Sequence, residues 1–188
     1  MLALDISNYA GYLSPETIEA WKAAGVKRVI VRASTEGGIY IAIARQQLAA
    51  CQAAGFALHA YCWLYWSRPL TAQVWAAVEV LDGYPVKTLW LDCEGDADLL
   101  PEEMVEAVRG LVNACKLPCG IYTRREWWKR YTVNTEEFCH LPLWDCDLGA
   151  AQLGDFVPYG GWDDRAMRQV QFDAEIGGTK VDLNVYES

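Results

Sequence analysis

The sequence has no apolar run approaching the ~20 residues that a membrane-crossing helix needs, and its opening, "MLALDISNYAG", lacks the basic start and apolar core of a secretion signal. These absences predict a chain with no membrane partner and no export signal of its own. It would be made in the cytoplasm and act outside only after release or export by another route. Basic residues are sparse, 16 Lys and Arg against 25 Asp and Glu for a net charge of -9, and they cluster only in "RREWWKR" at 124–130. A phosphate-gripping surface needs the opposite balance, so nucleic acid is not an expected partner. Histidine is nearly missing. Cys115 and Cys119 are spaced like a metal pair, but only His59 and His140 are there to complete a site, and no metal or other cofactor is expected. The seven cysteines are an odd number in a chain without an export signal, which favours free thiols over a disulfide framework. Glu36-Gly37-Gly38 and Gly177-Gly178 lack the Lys-Ser/Thr that follows in phosphate loops, so they read as turns.

What is present suits one globular domain over residues 1–188, burying roughly 70% of its unfolded-chain surface, with 53% hydrophobic residues. Apolar runs rich in β-formers recur at 2–7, 28–34, 57–64, 88–94 and 119–123, and helical patterns lie between them. Ser14-Pro15-Glu16 has the cap, first-position proline and first-turn acid of a helix start. Val74, Ala77, Val78 and Leu81 repeat at helical spacing, as do Met104, Val108, Leu111 and Val112. After about residue 140, "PLWDCD", "RQVQFD" and "TKVDLN" read as strands joined by loops. Five βα units followed by three strands predict an α/β fold, a TIM-like (β/α)5(β)3 barrel, with an open doubly wound sheet as the alternative.

The stretch "KTLWLDCEGD" (87–96) places Asp92 and Glu94 at the end of an apolar run. Residues two apart share one side of a strand, while Cys93 faces the other way and has no evident His partner for a nucleophile's role. Asp5 and Asp182 are expected at the ends of the first and last strands, which barrel closure makes neighbours. All four acids are thus expected at the carboxyl ends of strands. Carboxylates crowded in one mouth repel each other's charge, so at least one pKa should rise toward the range of a general acid. Tyr61, Trp63, Tyr122 and Trp144 fall near the same end, and aromatic faces beside acids suit a sugar. Trp21, Trp75 and Trp90 are assigned to packing, and His59 to the core or rim rather than to catalysis.

In order, "LDIS", "VRASTEG", "AACQAAGFALHAYCW", "LWLDCEGD", "CGIYT" with "EWW", "LPLW" and "VQFDAEIGGTKVDLNVY" resemble the glycoside hydrolase family 25 muramidases, the Chalaropsis-type lysozymes common among phage endolysins. The likeness runs from about residue 3 to 187. It implies a flattened (β/α)5(β)3 barrel and cleavage of the β-1,4 bond between N-acetylmuramic acid and N-acetylglucosamine, making peptidoglycan glycan strands the partner. It further implies that Glu94 is the acid protonating the leaving oxygen. Asp92 would either steady the substrate's acetamide as it attacks the anomeric carbon or act on a water or the sugar directly. Asp5 and Asp182 would orient substrate and tune Glu94, with Tyr61, Tyr122 and Gln171 lining the groove. Retention and inversion both remain open, because rotamers span the difference in carboxylate separation. A monomer is the simplest state.

Three places depart from the family pattern: Asn8 and Tyr9 in the first motif, Ala42 where an acid is common, and Asp145 with Asp147 after Trp144. Two other functions compete. One is a non-catalytic glycan-binding or particle-associated domain. The other is a hydrolase of a different N-acetylated polysaccharide such as chitin, which the chain's negative charge keeps in view, since an anionic wall would repel it at low salt.

Overall fold

The computed structural model describes residues 1–33 and 38–187. The last residue predicted for the second strand, Ser34, and the turn expected at Glu36-Gly37 lie outside the described residues. Eight strands close into one barrel in sequence order: β1 (Leu2–Ile6), β2 (Val26–Arg32), β3 (Ala57–Trp63), β4 (Leu89–Asp92), β5 (Cys119–Thr123), β6 (Leu143–Cys146), β7 (Met167–Ile176) and β8 (Thr179–Val185). The open doubly wound alternative is thereby excluded. Helices α1 (Pro15–Ala23), α2 (Gly38–Ala53), α3 (Leu70–Leu81), α4 (Pro101–Ala114) and α5 (Arg125–Thr132) follow β1 to β5, and β6 to β8 are joined without helices among the described residues. Gly38, expected in a turn, opens α2.

Strand alternation builds two apolar layers. In β4, Leu89 and Leu91, with Cys93 beyond them, face the helices, whereas Trp90 and Asp92 face the barrel interior. Trp90 joins Ala3, Ile30, Tyr61, Tyr122, Trp144, Met167 and Tyr186 there. Gly120 makes room for it, since a Cβ at that position would lie 2.5 Å from the Trp90 ring and 2.8 Å from the Pro142 carbonyl. The helix start at Ser14 forms as the sequence predicts, with Ser14 Oγ accepting the Thr17 N–H at 3.2 Å. No described helix is long and apolar enough to cross a membrane.

Two expectations need correction. β1 to β7 run parallel, but β8 is antiparallel to both β1 and β7. Asp182 is therefore mid-strand rather than at a carboxyl end, and it reaches the acids through its pairing with Asp5. The reversal follows from a two-residue hairpin at Gly177-Gly178, both at positive φ (62° and 71°), which returns the chain at once where a parallel crossover needs a helix. Trp75, assigned to packing, is 58% exposed, because it lies on the outer face of α3 opposite Val74, Ala77 and Leu81. Trp21 and Trp90 are buried. Asp145 and Asp147 serve structure: Arg165 donates to both, at 2.7 and 2.8 Å, the Tyr159 hydroxyl also donates to Asp145, and Arg165 and Arg168 tie down carbonyls of the long β6–β7 connection.

Candidate active site

The register brings the four acids together from three strands and a loop. Asp5 and Asp182 are direct partners in the β1–β8 ladder, and Asp92 pairs with Trp63 on one side and Tyr122 on the other. Glu94 lies two residues past the β4 ladder, in the loop that turns at Gly95 (φ 78°). Asp5 and Asp92 are buried, and the Glu94 side chain keeps 13% of its surface open to solvent.

A buried carboxylate needs donors, and the barrel interior supplies them unevenly. Asp5 Oδ2 accepts from Asn184 Nδ2 at 2.7 Å and from Gln169 Nε2 at 3.0 Å. Gln169 Nε2 also reaches Asp182 Oδ2 at 3.3 Å, and its carbonyl oxygen accepts the Tyr122 hydroxyl at 2.6 Å. Asp182 Oδ1 accepts the Asp173 N–H at 2.8 Å. Asp92 Oδ1 is buried with no donor among the described residues. Glu94 Oε2 accepts from Arg124 Nη2 at 2.9 Å, with Arg124 about half exposed at the start of α5.

Three of the acids are raised, as the sequence predicts, but burial is the larger cause and the crowding of charge adds to it. Burial pushes the pKa of Asp5 well above the ordinary carboxylate range, and the Asp182 charge adds to it against the amides of Asn184 and Gln169. Asp92 is raised by burial and then by the charges of Glu94 and Asp5, with Arg32 and Arg124 opposing. Asp182 is raised by burial, against the Asp173 N–H. The set therefore holds a proton at higher pH than separate carboxylates would.

Two clefts flank the acids. One, of about 700 Å³, is lined by Asp5, Tyr9, Tyr61, Phe172, Lys180 and Asp182 among others. The other, of about 610 Å³, runs along Trp63, Tyr65, Trp66, Glu94, Asp96 and Asp98. Of the aromatics predicted to bind substrate, Tyr61 and Trp63 thus border open clefts. Tyr122 and Trp144 are packed into the interior, their rings 4.5 Å apart, and Trp144 Nε1 donates to Asn184 Oδ1 at 2.7 Å. Gln171 is exposed, beyond a register shift in β7, and the glutamine that contacts the acids is Gln169. Gln169, Asn184 and Arg124 are the site residues that the sequence did not single out. Tyr9 and Phe172, exposed aromatics beside the acidic strands, were the available signal for the first cleft.

His59 is buried, stacked near Trp90, and neither ring nitrogen has a partner among the described residues. Burial, with Arg28 and Lys87 nearby, pushes its pKa down to about 3, so it is a neutral core residue and no base for this site. The seven cysteines are free, and burial pushes the Cys93 thiol up, away from nucleophilic use. Among the described residues no group of three or more His, Cys, Asp or Glu is arranged to hold a metal ion.

A closed barrel with buried carboxylates beside a solvent-open one, between aromatic-lined clefts, has the parts of a glycoside hydrolase. The family profile of glycosyl hydrolases family 25 matches residues 4–170, and the chain belongs to that family. Among curated relatives, "Counting factor 50" of Dictyostelium discoideum is 27% identical over 186 residues, covering 88% of this chain and 60% of that protein. "Probable GH family 25 lysozyme 5" of the same organism is 27% identical over 107 residues, covering 53% of this chain. The chain spans 60% and 50% of the length of these two relatives. The family 25 lysozyme of Aspergillus fumigatus superposes with a TM-score of 0.81 at 19% identity, covering all of this chain and 93% of that one. A muramidase from Acremonium alcalophilum does so at 0.76 and 22% identity, covering all of this chain and 94% of that one. At these identities the structural matches speak for the fold.

Proposed function

We propose that this chain is a peptidoglycan hydrolase that cleaves the β-1,4 bond between N-acetylmuramic acid and N-acetylglucosamine, with Glu94 as general acid and Asp92 as the partner of the substrate's acetamide. The observation that carries this reading is Asp92 Oδ1, a buried carboxylate oxygen beside Glu94 that no donor among the described residues satisfies. Such an oxygen is costly unless something bound supplies an N–H, and the 2-acetamido group of an N-acetylated sugar carries one.

Glu94 gives its proton to the glycosidic oxygen as the C1–O bond breaks, and the acetamide carbonyl oxygen bonds to C1 from the opposite face. Asp92 accepts the acetamide N–H and offsets the positive charge of the ring so formed. Glu94, now a carboxylate, takes a proton from water as that water attacks C1 and reopens the ring, which retains the anomeric configuration. Asp5 and Asp182, bridged by Gln169, place further carboxylates beside Asp92 and Glu94.

The test is release of soluble sugar from purified peptidoglycan by the wild type, by Glu94→Gln and by Asp92→Asn, together with inhibition by a thiazoline analogue of the bicyclic intermediate. Loss of about 10²-fold or more in each variant, and competitive inhibition by the thiazoline, are expected. Cleavage by Glu94→Gln at the wild-type rate would sink the reading. An orphan acceptor for an acetamide also suits chitin, so the identity of the sugar at the new chain end separates the two substrates.

A further inference from the structure

The β4–α4 loop that carries Glu94, residues 93–100, is held near its start by side chains from three separate elements. Thr123 Oγ1 donates to the Cys93 carbonyl at 2.7 Å, Trp66 Nε1 to the Glu94 carbonyl at 2.7 Å, and Trp127 Nε1 to the Gly95 carbonyl at 2.6 Å. The Tyr131 hydroxyl donates to Asp96 Oδ1 at 3.1 Å. The donors brace one another as well. Trp66 and Trp127 stack at 5.4 Å and 24°, and Trp127 and Tyr131 lie 4.9 Å apart. Three consecutive backbone carbonyls are therefore each taken by a side-chain donor; Cys93 still gives its N–H to the Tyr122 carbonyl of β5 at 2.8 Å, and beyond it Glu94 and Gly95 lie outside the strands. An apolar core needs no such arrangement. Two indoles aimed at the carbonyls on and next to Glu94 fix where its Cα sits relative to Asp92.

We propose that Trp66 and Trp127 are positioning residues for Glu94: their indole N–H groups hold the Glu94-Gly95 backbone so that the acid stands at the distance from Asp92 that proton donation and acetamide participation together require. This rests on the reading of Glu94 as the acid. Displacing a catalytic group by an ångström from a distance can cost about 10²-fold in rate, and a phenylalanine in place of either tryptophan keeps a ring for the stack while removing the donor.

The experiment compares Trp66→Phe and Trp127→Phe with Trp162→Phe. Trp162 makes the same kind of bond, Nε1 to the Leu141 carbonyl at 2.8 Å, in a buried position outside the loop. The expected result is a kcat about tenfold lower in each of the first two variants, with KM within about twofold, and no such loss in Trp162→Phe despite a similar change in Tm. In a Glu94→Gln background the Trp127→Phe loss should vanish, because the two act through one group. Amide exchange of residues 93–98 should quicken by about tenfold in Trp127→Phe and not in Trp162→Phe. A kcat unchanged in both loop variants, or a loss as large in Trp162→Phe, would overturn the proposal. If the wild type cleaves no polymer, the assignment of Glu94 fails separately, and unaltered exchange at 93–98 would then also dismiss the indoles as anchors of the loop.

Discussion

Asp5 and Asp182 stand opposite each other on antiparallel neighbours, and a single amide, Gln169 Nε2, donates to both at 3.0 and 3.3 Å. Two buried acids sharing one donor depend on that donor for their geometry. Gln169→Leu leaves both short of a hydrogen bond and strips the Tyr122 hydroxyl of its acceptor. A loss of about 1–3 kcal/mol is expected from the orphaned groups, or several degrees in Tm, with a clear fall in kcat. Gln171→Leu, two residues on and exposed, should leave both nearly unchanged. Thermal melts and rates of the two variants side by side check the assignment.

Asp92 is expected to trade stability for function. Its pKa is raised in the fold, first by burial, so its contribution to stability is fully present below the unfolded value of 3.8 and is lost as pH rises through the folded value. Asp92→Asn removes that loss. The variant should melt higher than the wild type near neutral pH, by about 2–4 °C for each kcal/mol recovered, and the margin should shrink as pH falls toward the ordinary carboxylate range. Melting curves of both proteins over that span decide it. A margin that widens in acid would contradict the raised value.

His59 has the opposite sign. Its pKa is depressed to about 3 against an ordinary 6.5, so the stability it contributes is present above 6.5 and is lost as pH falls toward the folded value. His59→Leu removes two unpartnered ring nitrogens as well. The variant should gain on the wild type progressively as pH drops below about 6.5, with its activity at neutral pH retained. An equal margin at every pH would mean that the imidazole does not titrate between the two states.

Gly120 tests the barrel interior. A methyl group there meets the Trp90 ring at 2.5 Å and a backbone carbonyl at 2.8 Å. Gly120→Ala should cost about 1–3 kcal/mol from overpacking, and it should lower activity through Trp90, whose strand carries Asp92. A denaturant titration with an unchanged m-value and a lower midpoint is the expected record.

The barrel was legible in the sequence because each strand carries its own signal. β5 runs over Cys119–Thr123, the span read from "CGIYT", and the apolar-polar alternation of "LWLDCE" sorts Leu89 and Leu91 from Trp90 and Asp92 as the structure does. The acids were legible for the same reason: a carboxylate that ends an apolar run stands out locally. Whatever depended on pairing across the chain was not. The polarity of β8 is set by a hairpin, and a shift of register in β7 puts Gln169, not Gln171, beside Asp5. Asp145 is a departure from the family pattern whose reason lies 20 residues on, in Arg165, which donates to it. Arg124 and Trp127 sit in the basic cluster "RREWWKR", and only closure of the barrel carries them to the Glu94 loop.

The most direct test is digestion of purified peptidoglycan, and separately of chitin oligosaccharides, by wild type and Glu94→Gln, with the new reducing ends reduced by borohydride and identified by mass spectrometry. The account predicts muramic-acid ends that appear with the wild type and are absent with the variant. Reducing ends of N-acetylglucosamine from either polymer, or equal cleavage by Glu94→Gln, would contradict it.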